Sequence, residues 1–216
     1  MGLPEHSVGC SMCDLNKIHK VPFHHHFGHV NKQLDCIHID LVVPISPPSV
    51  SGNRYLLTIV DQATSFKLVK PLKQKSEAFK QFIIAKAYME KIQDQTLKKL
   101  VSDQGGEFLN KDFKVLAQLK GFVHVFSPPE TPQHNGYAEQ ANRTILDKTR
   151  CLINSSGVPS CYWAEALNTA VFLSNLIPTP SRLNLSPYSL WTRNSPRIKK
   201  LCVFGCRSSV SIPRSH

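Results

Sequence analysis

Apolar residues along this chain recur with two different periods, and the switch between them marks out the elements. From Leu34 the texture is globular, and Cys36 to Val43 reads as a buried strand. The Pro, Ser and Gly residues between Pro44 and Asn53 read as a loop, and Tyr55 to Val60, β-branched and aromatic, as a second strand. Asp61 to Ser65 is a turn, after which Phe66 to Leu72 alternates apolar and basic residues like a half-exposed third strand. From Ser76 to Gln93 the period is helical: Phe79, Phe82, Ile83, Ala87 and Met89 mark an inward face with lysines between them. Ser76 is the expected N-cap, with Glu77 near the positive end of the helix dipole.

Lys98 to Asp103 supplies a fourth strand, Lys111 to Leu119 a short helix closed by Gly121, and Phe122 to Phe126 a fifth strand. A long helix is expected over Gln133 to Ser155, with Ala138, Ala141, Ile145, Thr149 and Leu152 inward and Glu139, Arg143 and Asp147 on another face. A further helix covers Pro159 to Ile177, with Trp163, Leu167, Ala170, Val171 and Ser174 along one side, and Pro178 and Pro180 end it. Beyond them Tyr188, Trp191, Phe204 and Gly205 are anchors without a period, so loops and short turns are expected. The order of elements predicts an α/β sheet with helices on its faces.

A chain of 216 residues can bury one substantial core. No apolar run approaches the roughly 20 residues that span a bilayer, and Met1 is not followed by a secretory signal pattern, so the expectation is a protein that is neither secreted nor membrane-bound. Seven cysteines at irregular spacing point to thiols rather than a disulfide framework. The balance of 26 Lys and Arg against 15 Asp and Glu gives a net charge of +11. No acid follows Glu165, while the tail beyond it carries seven Lys and Arg. A polyanion, nucleic acid above all, is the partner such a charge attracts.

Three carboxylates stand out. Asp40 ends an apolar strand; Asp103 ends another, just before a Gly-Gly turn; Glu139 lies in the first turns of the long helix, with 35 residues between it and Asp103. Carboxylates on two strand ends and a helix start can hold two divalent ions around a phosphodiester. Taken singly, an aspartate after a strand is most often a turn residue, and Asp61 is read as one. Glu107 and Glu139 can equally be solvated helix-start charges, His38 and His124 strand-face residues, and Cys202 and Cys206 buried small hydrophobes. Near the start, Cys10 and Cys13 form half of a tetrahedral zinc site, among six of the ten histidines. The missing ligands lie before residue 1, or come from His19 and the run His24 to His26, or the pair binds nothing. The first reading is preferred, which leaves the Zn²⁺ site incomplete within this chain.

These residues, read together, resemble the integrase catalytic core of copia-type LTR retrotransposons, within the ribonuclease H-like superfamily. Cys10 and Cys13 with Lys17, Pro22 and Phe23 look like the end of that family's zinc-binding region. His38-x-Asp40 resembles the first catalytic position, and Ser102-Asp103 with Gly105-Gly106-Glu107-Phe108 the second. Thr131-Pro132-Gln133-x-Asn135-Gly136-x-Ala138-Glu139, with Asn142-Arg143-Thr144 after it, resembles the third. Trp163 to Ala166, Asn168 to Ala170, Pro187-Tyr188 and Phe204 to Cys206 are similar to segments typical of the copia branch. Nearly the whole chain is covered.

The resemblance implies a five-stranded mixed sheet flanked by helices. It divides the chain into a remnant of the zinc region and linker over 1–33, a catalytic core over 34–177 and a basic extension over 178–216. It implies metal-dependent trimming of the element's 3′ ends and their transfer into host DNA, with Asp40, Asp103 and Glu139 holding two Mg²⁺ or Mn²⁺ ions. Gln133, His134 and Asn135 would meet the DNA end, and Arg143 and Lys148 its backbone. The partners would be element DNA ends, host target DNA and other copies of the chain, and the place of action the nucleus after synthesis in the cytoplasm. Gln104, Gln62 and Gln140-Ala141 depart from the family's usual Asn, acidic and basic residues, and the last removes phosphate contacts beside the metals. The alternatives are a silent remnant that only binds nucleic acid, and a ribonuclease H-like nuclease.

Overall fold

A computed structural model describes residues 30–127, 136–179 and 184–207. Cys10 and Cys13, with the zinc site expected of them, lie outside the described residues, as do Gln133, His134 and Asn135. Five strands form one sheet: β1 (Ile37–Val42), β2 (Tyr55–Asp61), β3 (Lys67–Leu72), β4 (Lys99–Ser102) and β5 (Val123–Phe126). Their order is β3-β2-β1-β4-β5, so β1 is central. The meander β1 to β3 is antiparallel, as its short connections require, whereas β4 and β5 run parallel to β1 after helical crossovers. The crossovers are α1 (Ala78–Gln93) and α2 (Lys111–Lys120). α3 (Gly136–Ser156), α4 (Trp163–Leu176) and the short α5 (Pro187–Thr192) complete the fold.

Strand alternation divides the core between the two faces of the sheet. Ile37, Ile39, Leu57 and Ile59 pack with Phe82, Met89 and Phe113 on the side of α1 and α2. Leu56, Val60 and Val69 pack with Ala141, Ile145, Leu167 and Ala170 on the side of α3 and α4. The inward stripe expected of the long helix is the observed one: Ala138, Ala141, Ile145 and Thr149 are buried. Gly121, at φ +70, ends α2 as a left-handed residue, where glycine carries no Cβ penalty.

Several local expectations need correction. Ser76 caps nothing in α1: a 3-10 turn over Lys75–Glu77 precedes the helix, and the Glu77 carboxylate reaches back to accept from the Lys73 and Gln74 amides at 2.8 and 3.3 Å. The buried face of α1 is Ala78, Phe82, Ala85, Lys86 and Met89, whereas Ile83 and Ala87 are exposed. Lys86 is tolerated there because its ammonium meets Glu90 at 2.6 Å and lies over the Phe122 ring. Cys202 and Cys206 are exposed, not buried, and none of the five described cysteines is in a disulfide. Among the described residues, no helix is long and apolar enough to cross a membrane.

The tail is more ordered than its lack of period suggests. Ser186 caps α5 by accepting from the Ser189 amide at 3.1 Å, and Pro187 occupies its first turn. Trp191 is buried at 1% exposure and stacks on Phe66 with ring centroids 4.9 Å apart. Gln33 and Gln93 donate to the Leu190 and Trp191 carbonyls, tying the short helix to both ends of the core. Farther on, Gly205 has φ +78, and a Cβ there would stand 2.5 Å from the Cβ of Ser156 at the end of α3. Gly205→Ala is therefore expected to destabilise the fold by about 1–3 kcal/mol, read as a lower urea midpoint at unchanged slope.

Candidate active site

Asp40 lies on the face of β1 turned toward α3, directly opposite Thr58 in the antiparallel pairing. The α3 residue Asn142 fills the space between them. Its Nδ2 donates to Asp40 Oδ2 at 2.7 Å, while its amide oxygen accepts from the Thr58 hydroxyl. Thr58 and Asn142 are buried, so these contacts fix how the Asp40 carboxylate is turned.

Parallel pairing brings the second acid alongside. His38 is level with Val101 in the β1–β4 register, and continuing both strands two residues sets Asp40 beside Asp103. Asp103 leaves the sheet in a tight turn, with Oδ1 accepting from the Gly105 amide at 3.1 Å. Glu139, exposed in the first turn of α3, comes three residues before Asn142 and therefore sits one helical turn away on a neighbouring face. Both other acids act on Asp40. Burial pushes the Asp40 carboxyl up to about 6; the Asp103 carboxylate and, more weakly, Glu139 raise it, while the Asn142 amide and the Leu41 backbone oppose the rise.

This shared field stops short of a ligand shell, since no group of three His, Cys, Asp or Glu side chains among the described residues is close enough to hold a metal ion. The donor chemistry nevertheless suits a hard divalent cation: the side chains are all oxygen donors, and Asp40 is short of positive charge. The residues fit such an ion in kind and in charge. A groove of about 540 Å³ between α2 and β5 is lined by Phe108, Phe122 and Phe126 among others, and none of the three acids lines it.

Other expected positions fall out differently. Arg143 is exposed and four residues past Glu139, so both point to the same side of α3. Lys148, nine residues past Glu139, is turned by about 180° around the helix. Its ammonium donates to Ser174 on α4 at 2.9 Å, on the side of the helix away from Glu139. Asp61 is the turn former the sequence suggests, its carboxylate accepting from the Leu34 and Thr64 amides and the Thr64 hydroxyl. His38 shares the face of Asp40, with Nε2 2.9 Å from Gln62 Oε1 and its ring 5.0 Å from that of Tyr137. Reading the sequence missed Asn142 and Thr58 as positioning residues. The spacing of Asn142 from Glu139 was the available signal for the first; the register that reveals Thr58 exists only in the folded sheet.

No family model matches the chain. Curated relatives do. The retrovirus-related Pol polyprotein of transposon TNT 1-94 from Nicotiana tabacum is 34% identical over 205 residues, 95% of this chain. Those of transposons RE2 and RE1 from Arabidopsis thaliana are 39% and 36% identical over 206 residues. The chain belongs to the copia-type retrotransposon Pol family. It spans only 15% of the tobacco Pol polyprotein and 14% of each Arabidopsis one.

Solved structures agree on the fold of this Pol segment. A simian T-cell lymphotropic virus intasome, determined in complex with a PP2A regulatory subunit, matches 95% of the chain and 69% of its own with a TM-score of 0.64 at 16% identity. The HTLV-2 integrase catalytic core, in a trimeric form with magnesium, matches 72% of this chain and 95% of its own with a TM-score of 0.54 at 17% identity. The Pol segment thus has the ribonuclease H-like fold of an integrase catalytic core, as its sequence leads one to expect.

Proposed function

We propose that this Pol segment is the catalytic domain of a retrotransposon integrase, which trims element DNA at its 3′ ends and transfers those ends into host DNA. The observation that supports it most is the β1–β4 register that sets Asp103 beside Asp40, with Asn142, one turn past Glu139 on α3, bonded to Asp40. Asp40 within β1 and Asp103 just past β4 would hold one Mg²⁺ or Mn²⁺ ion between neighbouring strands, and Glu139 would share a second from the helix. Bound divalent ions supply charge neutralisation and Lewis-acid polarisation to a phosphodiester. Asn142 holds one Asp40 oxygen and so fixes how the carboxylate would be presented to a cation. Arg143, on the side of Glu139, would take a backbone phosphate, and Gln133, His134 and Asn135 just upstream would meet the DNA end. The magnesium in the HTLV-2 core and the intasome and trimeric assemblies of the neighbours support divalent-ion use, DNA engagement and self-association for this chain too. Action on host DNA would place it in the nucleus.

A strand-transfer assay with a short donor duplex and Mg²⁺ or Mn²⁺ tests the reading. Wild type is expected to join donor to target, and Asp103→Asn to lose at least about a thousandfold of that activity, because the variant removes an anionic ligand at the reacting phosphate. Equal background from both proteins would sink it. The net charge of +11 would then leave a nucleic-acid-binding remnant, whose affinity falls steeply with salt.

A further inference from the structure

Two half-buried lysines converge on the last turn of α4, and no ion pair among the described residues engages either. Lys67, the first residue of β3, is half-buried, and its Nζ donates to the Ser65 carbonyl at 2.9 Å. Ser65 itself is held at φ +60, a conformation a non-glycine residue seldom adopts. Lys148 is also half-buried and reaches from α3 to Ser174 at 2.9 Å. Asn175, next to that serine, brackets the Lys67 backbone: its Oδ1 accepts from the Lys67 amide at 3.0 Å and its Nδ2 donates to the Lys67 carbonyl at 2.8 Å. Ser174 and Asn175 are both buried, so α4 fixes the two lysines in relation to each other.

The cluster carries more positive charge than its surroundings answer. Burial first, and Lys148 second, pull the Lys67 ammonium down to about 8, and burial lowers Lys148 as well. The ion pairs among the described residues engage Lys86, Lys98 and Arg150 instead, and Asp147 beside Lys148 is turned to Arg150 at 2.7 Å. The carbonyl end of α4 contributes only about half an elementary charge against two. Groups taken out of water without a counter-charge are normally found paired. The donors, meanwhile, are in surplus. Each ammonium has three hydrogens and spends one, and Ser174, which accepts from Lys148, keeps its own to give.

We propose that Lys67, Lys148 and Ser174 form a binding site for a phosphate group, between β3, α3 and α4 and on the side of α3 turned away from Glu139. A carboxylate would answer one ammonium, whereas a phosphate near charge −2 answers both and has oxygens for all three donors. The doubly charged form belongs to inorganic phosphate or to a terminal phosphate on a nucleic acid; a diester within a strand carries one charge. The site does not depend on the three acids, and it holds whether or not the chain joins DNA.

Calorimetric titration of the whole chain with inorganic phosphate, against chloride at equal ionic strength, tests the proposal. Saturable phosphate binding is expected in wild type and in Asp103→Asn alike. Lys67→Gln, Lys148→Gln and Ser174→Ala are each expected to weaken it, the lysine variants by about tenfold or more. Removing a half-buried, unanswered charge should leave both lysine variants folded; if one does not fold, the other and Ser174→Ala still carry the comparison. Duplexes with and without a 5′-phosphate, added in competition, identify the source. Displacement by the phosphorylated duplex assigns the site to a nucleic-acid end, and displacement by neither assigns it to free phosphate. Heat no greater for phosphate than for chloride, or equal affinity in wild type and variants, would overturn the site.

Discussion

Asp40→Asn is expected to make the protein more stable in metal-free buffer at neutral pH while stripping it of any response to divalent ions. The folded carboxyl titrates near 6 against an ordinary value of 3.8. With its folded value raised, the group binds a proton more tightly in the native chain than in the unfolded one. Its penalty is therefore absent below about pH 4, grows as pH rises, and is complete above about 6. The gap amounts to about 3 kcal/mol at pH 7, an upper figure because the native site relaxes around the charge. For a chain of this size that is a gain of roughly 5–10 °C in melting temperature. Asparagine keeps an oxygen for the Asn142 amide, so the hydrogen bond at 2.7 Å has a successor. Added Mg²⁺ or Mn²⁺ should raise the wild-type melting temperature by mass action and leave the variant unmoved. A variant that melts lower than wild type at pH 7, or that gains equally from metal, would refute this account of Asp40.

Asn142→Leu is expected to act in the opposite sense. Leucine approximates the shape of asparagine but removes the acceptor of the buried Thr58 hydroxyl and the donor to Asp40 together. Leaving buried partners unsatisfied costs about 1–3 kcal/mol for each, so a loss of roughly 2–4 kcal/mol is expected. Because the Asn142 amide holds the Asp40 value down, its removal should carry the midpoint above 6 and stretch the pH-dependent loss of stability toward neutrality. Urea melts at several pH values separate the two effects: a uniform drop with unchanged pH dependence would mean that Asn142 is packing alone.

The five strands were legible because each is a short apolar run between turn formers, and α3 because Ala138, Ala141, Ile145 and Thr149 keep helical period. The face of α1 was misread because the sequence offers apolar residues almost all round it, and only the packing partners select Phe82, Ala85 and Met89 over Ile83. α5 escaped notice because six residues hold too little period to see, although Ser186-Pro187 announces its start. At the site, strand ends and a helix start were enough to single out Asp40, Asp103 and Glu139. Their common field depends on register and on strand order, which local pattern does not encode. Which side of α3 Lys148 faces follows from helical rotation, and nine residues past Glu139 it is turned by about half a revolution.

The stacking of Trp191 on Phe66 has a practical corollary for anyone cutting this chain. A fragment stopped near residue 179 would keep every strand, yet uncover an indole-shaped socket flanked by Phe66. Such a fragment would be sticky, and a longer copy could lend it the missing plug, yielding exchanged dimers that owe their existence to the scissors rather than to the protein.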